Sequence, residues 1–137
     1  QTISDVKSLQ YSMIQDFCHH TANTHIPEGI SSEIYNCMSY IRCHTNENLS
    51  IEDIAKQIHR SSSYTMKHFK EELGINIGAY IVRCKLEDAK GLLTYSDKSL
   101  TEISNYLCFS SQSYFQNVFK KKYGLTPLQY RKKTQHI

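Results

Sequence analysis

Cysteine and histidine gather near the amino end: Cys18, His19, His20 and His25, with Cys43 and His44 further along. Zinc takes ligands of these types, but structural zinc sites usually pair them two to four residues apart at both ends, and this set does not. Ordinary buried thiols and surface imidazoles account for it equally well. The five cysteines, Cys18, Cys37, Cys43, Cys84 and Cys108, are odd in number and form no Cys-x-x-Cys pair. A disulfide framework is therefore not expected, and a reducing, cytoplasmic setting fits. Paired carboxylates, a phosphate-cradling loop and a flanked nucleophile are all missing from the pattern, so an enzyme is the weakest reading. Neither a metal nor a cofactor is expected.

A second group has a different chemistry. Ser62, Ser63, Met66, Lys67 and Lys70 recur at steps of three and four, and so do Gln112, Ser113, Gln116, Asn117, Lys120 and Lys121. Such steps put each set on one side of a helix. Glutamine and asparagine amides can pair with adenine N6 and N7, and lysine reaches guanine or a phosphate. Neither set holds an arginine, the commonest reader of guanine. A face of this kind suits the groove of a DNA duplex; a plain solvated face is the competing account.

These side chains need helices to hold them. Val6, Leu9, Met13 and Phe17 predict a helix over about Ser4–His20, and Thr21–Gly29, with Pro27, reads as a linker. Ile34, Cys37, Met38 and Ile41 mark a second helix, capped near Ser31 or Ser32 and ending near His44. Ser50 with Asp53 resembles a capping box, and Ser99 with Glu102 is a full one. Gly74 and Gly124 stand where helices want a left-handed residue. A long helix over about 76–94 joins two shorter pairs, and Thr126-Pro127 opens a last short helix.

The two pairs are copies. Ser50-Ile51-Glu52-Asp53-Ile54-Ala55 matches Ser99-Leu100-Thr101-Glu102-Ile103-Ser104, and Ser61, Ser63, Tyr64, Phe69, Lys70, Gly74 and Tyr80 match Ser111, Ser113, Tyr114, Phe119, Lys120, Gly124 and Tyr130. The register slips by one in the turn between them. Each unit is a short helix, a tight turn, a longer helix and a glycine stop, the helix-turn-helix layout. The expected architecture is all-α: helix-turn-helix units at about 50–73 and 99–123, a linker helix between them, and an extra N-terminal helix. A linker of nineteen residues would run roughly 28 Å, the scale that sets two reading helices over neighbouring major grooves.

The chain has 137 residues, 39% hydrophobic and 21% charged, with 5 Gly and 2 Pro, which excludes wholesale disorder and collagen-like classes. No run approaches a membrane span, and no signal peptide is visible. A start at Gln1 rather than Met reads as a piece of something longer. Net charge is +3, unevenly placed: Lys7 and Arg42 face five acids in residues 1–48, while the remainder is basic. That excess permits a polyanion partner.

Residues 34–133 resemble the DNA-binding domain of AraC-type transcription regulators. The likeness is carried by Leu49-Ser50 with Ile54-Ala55, Ser61 with Tyr64 and Phe69-Lys70, Gly74 and Tyr80, and Leu86 with Ala89 and Leu92-Leu93. It continues through Glu102-Ile103, Phe109, Ser113-Tyr114-Phe115, Phe119-Lys120, Gly124 with Thr126-Pro127, and Tyr130-Arg131. The resemblance implies seven helices, sequence-specific binding of double-stranded promoter DNA, and transcription control, most often activation, through RNA polymerase. Both sets of helix residues above match the family's base-reading positions in register. Lys70, Lys120, Lys121, Ser50 and Ser99 are then expected at phosphates, joined by Tyr64 and Tyr114 unless those rings pack against the scaffold. The second half-site is expected to be A·T-rich, and the first unit to act more through the DNA backbone.

Three departures stand out: Lys85 where the family usually has Arg, Thr65 where it has Leu, and Ser104 with Cys108 where it has Ala and Gly. A side chain at a glycine-like turn predicts a differently bent second turn. Residues 1–30 match nothing in that domain and are expected to serve as a linker or dimerisation segment, pairing two copies or joining a further N-terminal domain. A helical protein-interaction module and a Cys/His metal- or redox-responsive domain remain alternatives at this point.

Overall fold

Every helix begins where a side-chain oxygen takes over an orphan backbone amide. The computed structural model describes residues 29–135, and among these it contains seven helices and no strand. They are α1 (Ser32–Cys43), α2 (Ile51–Lys56), α3 (Ser62–Leu73), α4 (Ile77–Tyr95), α5 (Leu100–Tyr106), α6 (Gln112–Tyr123) and α7 (Pro127–Thr134). Ser31, Ser50, Ser61, Asn76, Ser99, Ser111 and Thr126 cap them in turn, each accepting from the amide three residues on. Ser99–Glu102 and Thr126–Gln129 close both halves of a capping box. Ser50 accepts from the Asp53 amide at 3.1 Å, but the shorter Asp53 carboxylate makes no return bond, so that box is half formed.

The helices stop by a matching rule. Gly74 and Gly124 follow α3 and α6 with φ of 77° at each. Their amides reach back to the Lys70 and Lys120 carbonyls, at 2.8 Å in both cases. An added Cβ would meet nothing within 4 Å at either glycine, so only the backbone conformation requires glycine there.

The turns inside the two units also agree, which corrects the expectation raised by Cys108. His59 and Cys108 both sit at φ 57°. Arg60 N bonds Ala55 O at 3.2 Å, and Phe109 N bonds Ser104 O at 3.0 Å. These bonds hold the left-handed residue in place, so the second turn tolerates its side chain instead of bending.

Two cores result, and α4 belongs to both. Ile34, Cys37, Ile41, Ile54, Ile58 and Phe69 pack with Ile77 and Tyr80 from the first half of α4. Leu86, Ala89, Leu92 and Leu93 from its second half pack with Ile103, Leu107, Phe109, Phe115 and Phe119. The helix pairs that pack extensively lie within a lobe, counting α4 as part of each. In the second lobe aromatic rings do much of the filling: Phe109 and Phe119 lie 5.0 and 6.0 Å from Phe115, and Tyr130 lies 5.5 Å from Phe119. Burying such rings fully stabilises by about 1.5–3 kcal/mol each. Thr65 is buried where an apolar residue was expected, and its hydroxyl donates to the Ser61 carbonyl at 2.8 Å, so it is satisfied.

Arg131 closes the far end of α4, donating to the carbonyls of Leu93 at 3.1 Å and Ser96 at 3.2 Å. The predicted helix over Ser4–His20 and the cluster of Cys18, His19, His20 and His25 lie outside the described residues. Among the described residues no three His, Cys, Asp or Glu come together as a metal needs, and no helix is long and apolar enough to cross a membrane.

Candidate nucleic-acid interface

Burial divides α3 into two faces. Thr65 and Phe69 point inward, while Ser63, Met66, Lys67 and Lys70 are exposed and Ser62 is half-buried at the leading end. Met66 is 42% exposed, a large apolar side chain presented to solvent beside Lys67 and one turn before Lys70. On α6, Phe115 and Phe119 point inward, and Ser113, Asn117, Lys120 and Lys121 are exposed. Gln112 and Gln116 are half-buried. Phe69 and Phe119 thus fix the rotation of the two helices, and every residue of both polar sets lies off their buried face.

The two exposed faces border the same end of α4. Ser63, Met66, Lys67 and Lys70 line one cleft with Asn76 and Gly78. Tyr114, Val118, Lys121 and Lys122 line another that also reaches Asn76 and Gly78. The amino-terminal turn of a nineteen-residue helix therefore lies between α3 and α6. Lys67, Lys70, Arg83, Lys121, Lys122 and a helix amino terminus flank this region against the one carboxylate of Glu71, which favours an anion there.

The two helices differ in charge. Lys67 and Lys70 on α3 are followed by Glu71 and Glu72, whereas α6 ends in Lys120, Lys121 and Lys122 without an acid. Glu72 accepts from the Ser31 amide at 2.7 Å and from its hydroxyl at 2.9 Å, tying the start of α1 to the end of α3.

Some expected contacts are already taken within the fold. Tyr64 donates its hydroxyl to Glu33 at 3.1 Å, Arg60 donates to the same carboxylate at 2.8 Å, and the guanidinium lies 4.6 Å from the Tyr64 ring centre. The hydrogen bond from Arg60 holds the Glu33 pKa below the ordinary carboxylate value. Tyr64 is therefore a scaffold ring. Its counterpart Tyr114 is 42% exposed with its hydroxyl free among the described residues. Ser50 and Ser99 accept from the Asp53 and Glu102 amides, which leaves each hydroxyl its own O–H to donate. Gln112 accepts at Oε1 from the Thr101 hydroxyl at 2.5 Å, so α5 steers its amide. The matching position in the first unit is Glu52, and sequence spacing alone gave no hint of this contact.

A family model described as a helix-turn-helix domain matches residues 54–133. The chain belongs to the AraC-type helix-turn-helix family of transcription regulators. Regulatory protein PocR of Salmonella typhimurium is 35% identical over 128 residues, which is 91% of this chain and 42% of PocR. The solved structure of the xylose-binding transcription activator xylR is 35% identical with a TM-score of 0.71, covering 81% of this chain and 29% of that one. The DNA-binding domain of AdpA, solved with a target DNA, shares the fold at 21% identity and a TM-score of 0.70, covering 77% of this chain and 96% of that one. The chain thus spans less than half the length of PocR and of xylR.

Proposed function

We propose that this AraC-type chain is the DNA-reading part of a transcription regulator and binds double-stranded promoter DNA with α3 and α6 in successive major grooves. The supporting observation is the pair of matching helix-turn-helix units whose exposed faces border one end of α4. Ser62, Ser63, Met66 and Lys67 face bases in the first half-site, where Met66 suits a thymine methyl. Gln112, Ser113, Gln116 and Asn117 do so in the second, with an A·T preference from their amides. Lys70, Lys120 and Lys121 neutralise phosphates, and with acids on α3 alone the larger share of that attraction falls to α6. The likeness to xylR, a transcription activator, supports activation as the direction of control, and contact with RNA polymerase belongs to the same reading. Pairing of two copies through residues 1–30, or through a further domain, belongs to the same reading.

Selection of bound duplexes from a random pool by the full chain tests this. A bipartite consensus with half-sites about one helical turn apart is expected, together with affinity that falls steeply with salt. Failure to enrich any duplex, or enrichment independent of salt, would refute it and favour a protein-interaction module.

A further inference from the structure

Lys85 lies at the changeover on α4, between Tyr80 in the first core and Leu86 in the second. It is only 5% exposed. Its ammonium has three N–H groups, and the structure gives each an acceptor. Two are the carbonyls of Thr45 and, at 3.0 Å, Glu47, in the loop between α1 and α2. The third is the carbonyl of Leu107, which caps α5 in the second unit. One side chain therefore joins the first lobe, the linker and the second lobe.

The same seam carries further contacts. Cys108 Sγ lies 3.4 Å from the Asn46 carbonyl, and the Thr45 hydroxyl donates to Asp88 on α4. Away from α4, no helix of one lobe packs extensively on a helix of the other. Each lobe is keyed to its own stretch of α4 by buried side chains, so a bend or twist near the middle of α4 is what would turn one lobe against the other, and these small polar contacts brace the seam against it. A buried ammonium with every donor satisfied is the strongest of them, because losing it strands three carbonyls.

We propose that Lys85 is a positioning residue that fixes the rotation of the first reading unit against the second, and so sets the half-site spacing the chain accepts. The proposal rests on the DNA-binding reading above. One inserted base pair moves the second half-site by about 3.4 Å and turns it by roughly 35°, since a turn holds 10–10.5 pairs. Rigidly held lobes cannot follow that turn, whereas loosened ones can.

The test uses the full chain and two measurements. The first is the affinity for duplexes selected by the wild type, remade with one base pair inserted or removed between the half-sites. The wild type is expected to lose at least tenfold on such a change. Lys85→Met should bind the original duplex at least fivefold more weakly and lose less than threefold on respacing. Lys85→Arg, which keeps donors at the seam, should restore the discrimination. The second measurement needs no DNA: residual dipolar couplings should fit one alignment tensor for both lobes in the wild type and in Lys85→Arg, and two in Lys85→Met. Where Lys85→Met does not fold, Lys85→Gln, with two donors and no charge, takes its place. Unchanged spacing discrimination, or a single tensor in the folded variant, would overturn the proposal. A wild type that binds no duplex refutes the DNA reading instead, and the couplings still decide whether Lys85 holds the lobes together.

Discussion

Ser104→Ala should make this protein more stable. Ser104 is 1% exposed, and its Oγ is a buried side-chain polar atom with no hydrogen-bond partner among the described residues. An unpaired buried hydroxyl costs about 1–3 kcal/mol in lost hydration. Alanine also gains roughly 0.5 kcal/mol in helix propensity over serine. Against this, removing one oxygen leaves a small void worth about 0.2–0.3 kcal/mol. The net expectation is a gain of about 1–3 kcal/mol, a rise of roughly 4–15 °C in midpoint for a domain of this size. The first unit supplies the control, because Ala55 occupies the matching place on α2 and is equally buried. Ala55→Ser should lose a similar amount. Urea unfolding of both variants, with m-values unchanged, reads the two numbers. A neutral or destabilising Ser104→Ala would refute the reasoning: it would mean that the hydroxyl has a partner, such as the carbonyl one turn back.

Other consequences follow from the turns, the charges and the reading faces. His59→Gly should stabilise by about 0.5–1 kcal/mol, since its side chain sits at φ 57°, and Cys108→Gly by less, because it also removes the Sγ contact with the Asn46 carbonyl; equal urea shifts for the two would show that this contact contributes nothing. Gln112→Ala should cost roughly 1–3 kcal/mol at one base position, and Thr101→Val, which unties the Gln112 amide, should broaden preference at that same position in a selection; a uniform loss across sequences would make Gln112 a backbone contact. Lys120→Ala or Lys121→Ala should lower the slope of log affinity against log salt by about one, read by titrations at several ionic strengths. Glu33 and Glu102 have pKa values below the ordinary 4.5, lowered chiefly by the Arg60 hydrogen bond and the Ser99 amide respectively. Their stabilisation is complete above that value and is lost as pH falls through the lowered folded values, so urea midpoints should drop in acid, less so in Glu33→Gln. Asp88, raised by burial, works in the opposite sense.

What could be read from the sequence is what is decided within a few residues. Ser99 with Glu102, Thr126 before Pro127, and Gly74 and Gly124 announce helix ends because the groups they satisfy lie within four residues. Phe69 and Phe119 gave the rotation of α3 and α6 because one large apolar residue at a helical step fixes which face is dry. What escaped was set at long range. Tyr64 was open between phosphate and scaffold until Glu33, 31 residues earlier, accepted its hydroxyl. Lys85 showed itself only as a departure from arginine, since its acceptors lie 40, 38 and 22 residues away. Ser104 aligns with Ala55 in the repeat, which hinted at an inward side chain but could not show that its hydroxyl lacks a partner.

This division has a physical consequence for how the protein responds to change. Caps, turns and glycine stops are duplicated almost residue for residue, so each unit can hold its own shape from its own segment and the carbonyls it contains. The relation between the units is not duplicated. It depends on α4 and on the contacts of Lys85, Thr45, Asp88 and Cys108 with groups in other segments. Substitutions in the repeated elements should therefore act on one lobe at a time and add together, as sites without shared partners do. Substitutions at the seam should couple strongly, because Lys85 and Cys108 both bear on the loop between α1 and α2. Lys85→Gln combined with Cys108→Ala should then depart from additivity by about 0.5 kcal/mol or more, while Ser104→Ala with Ala55→Ser should add within that margin.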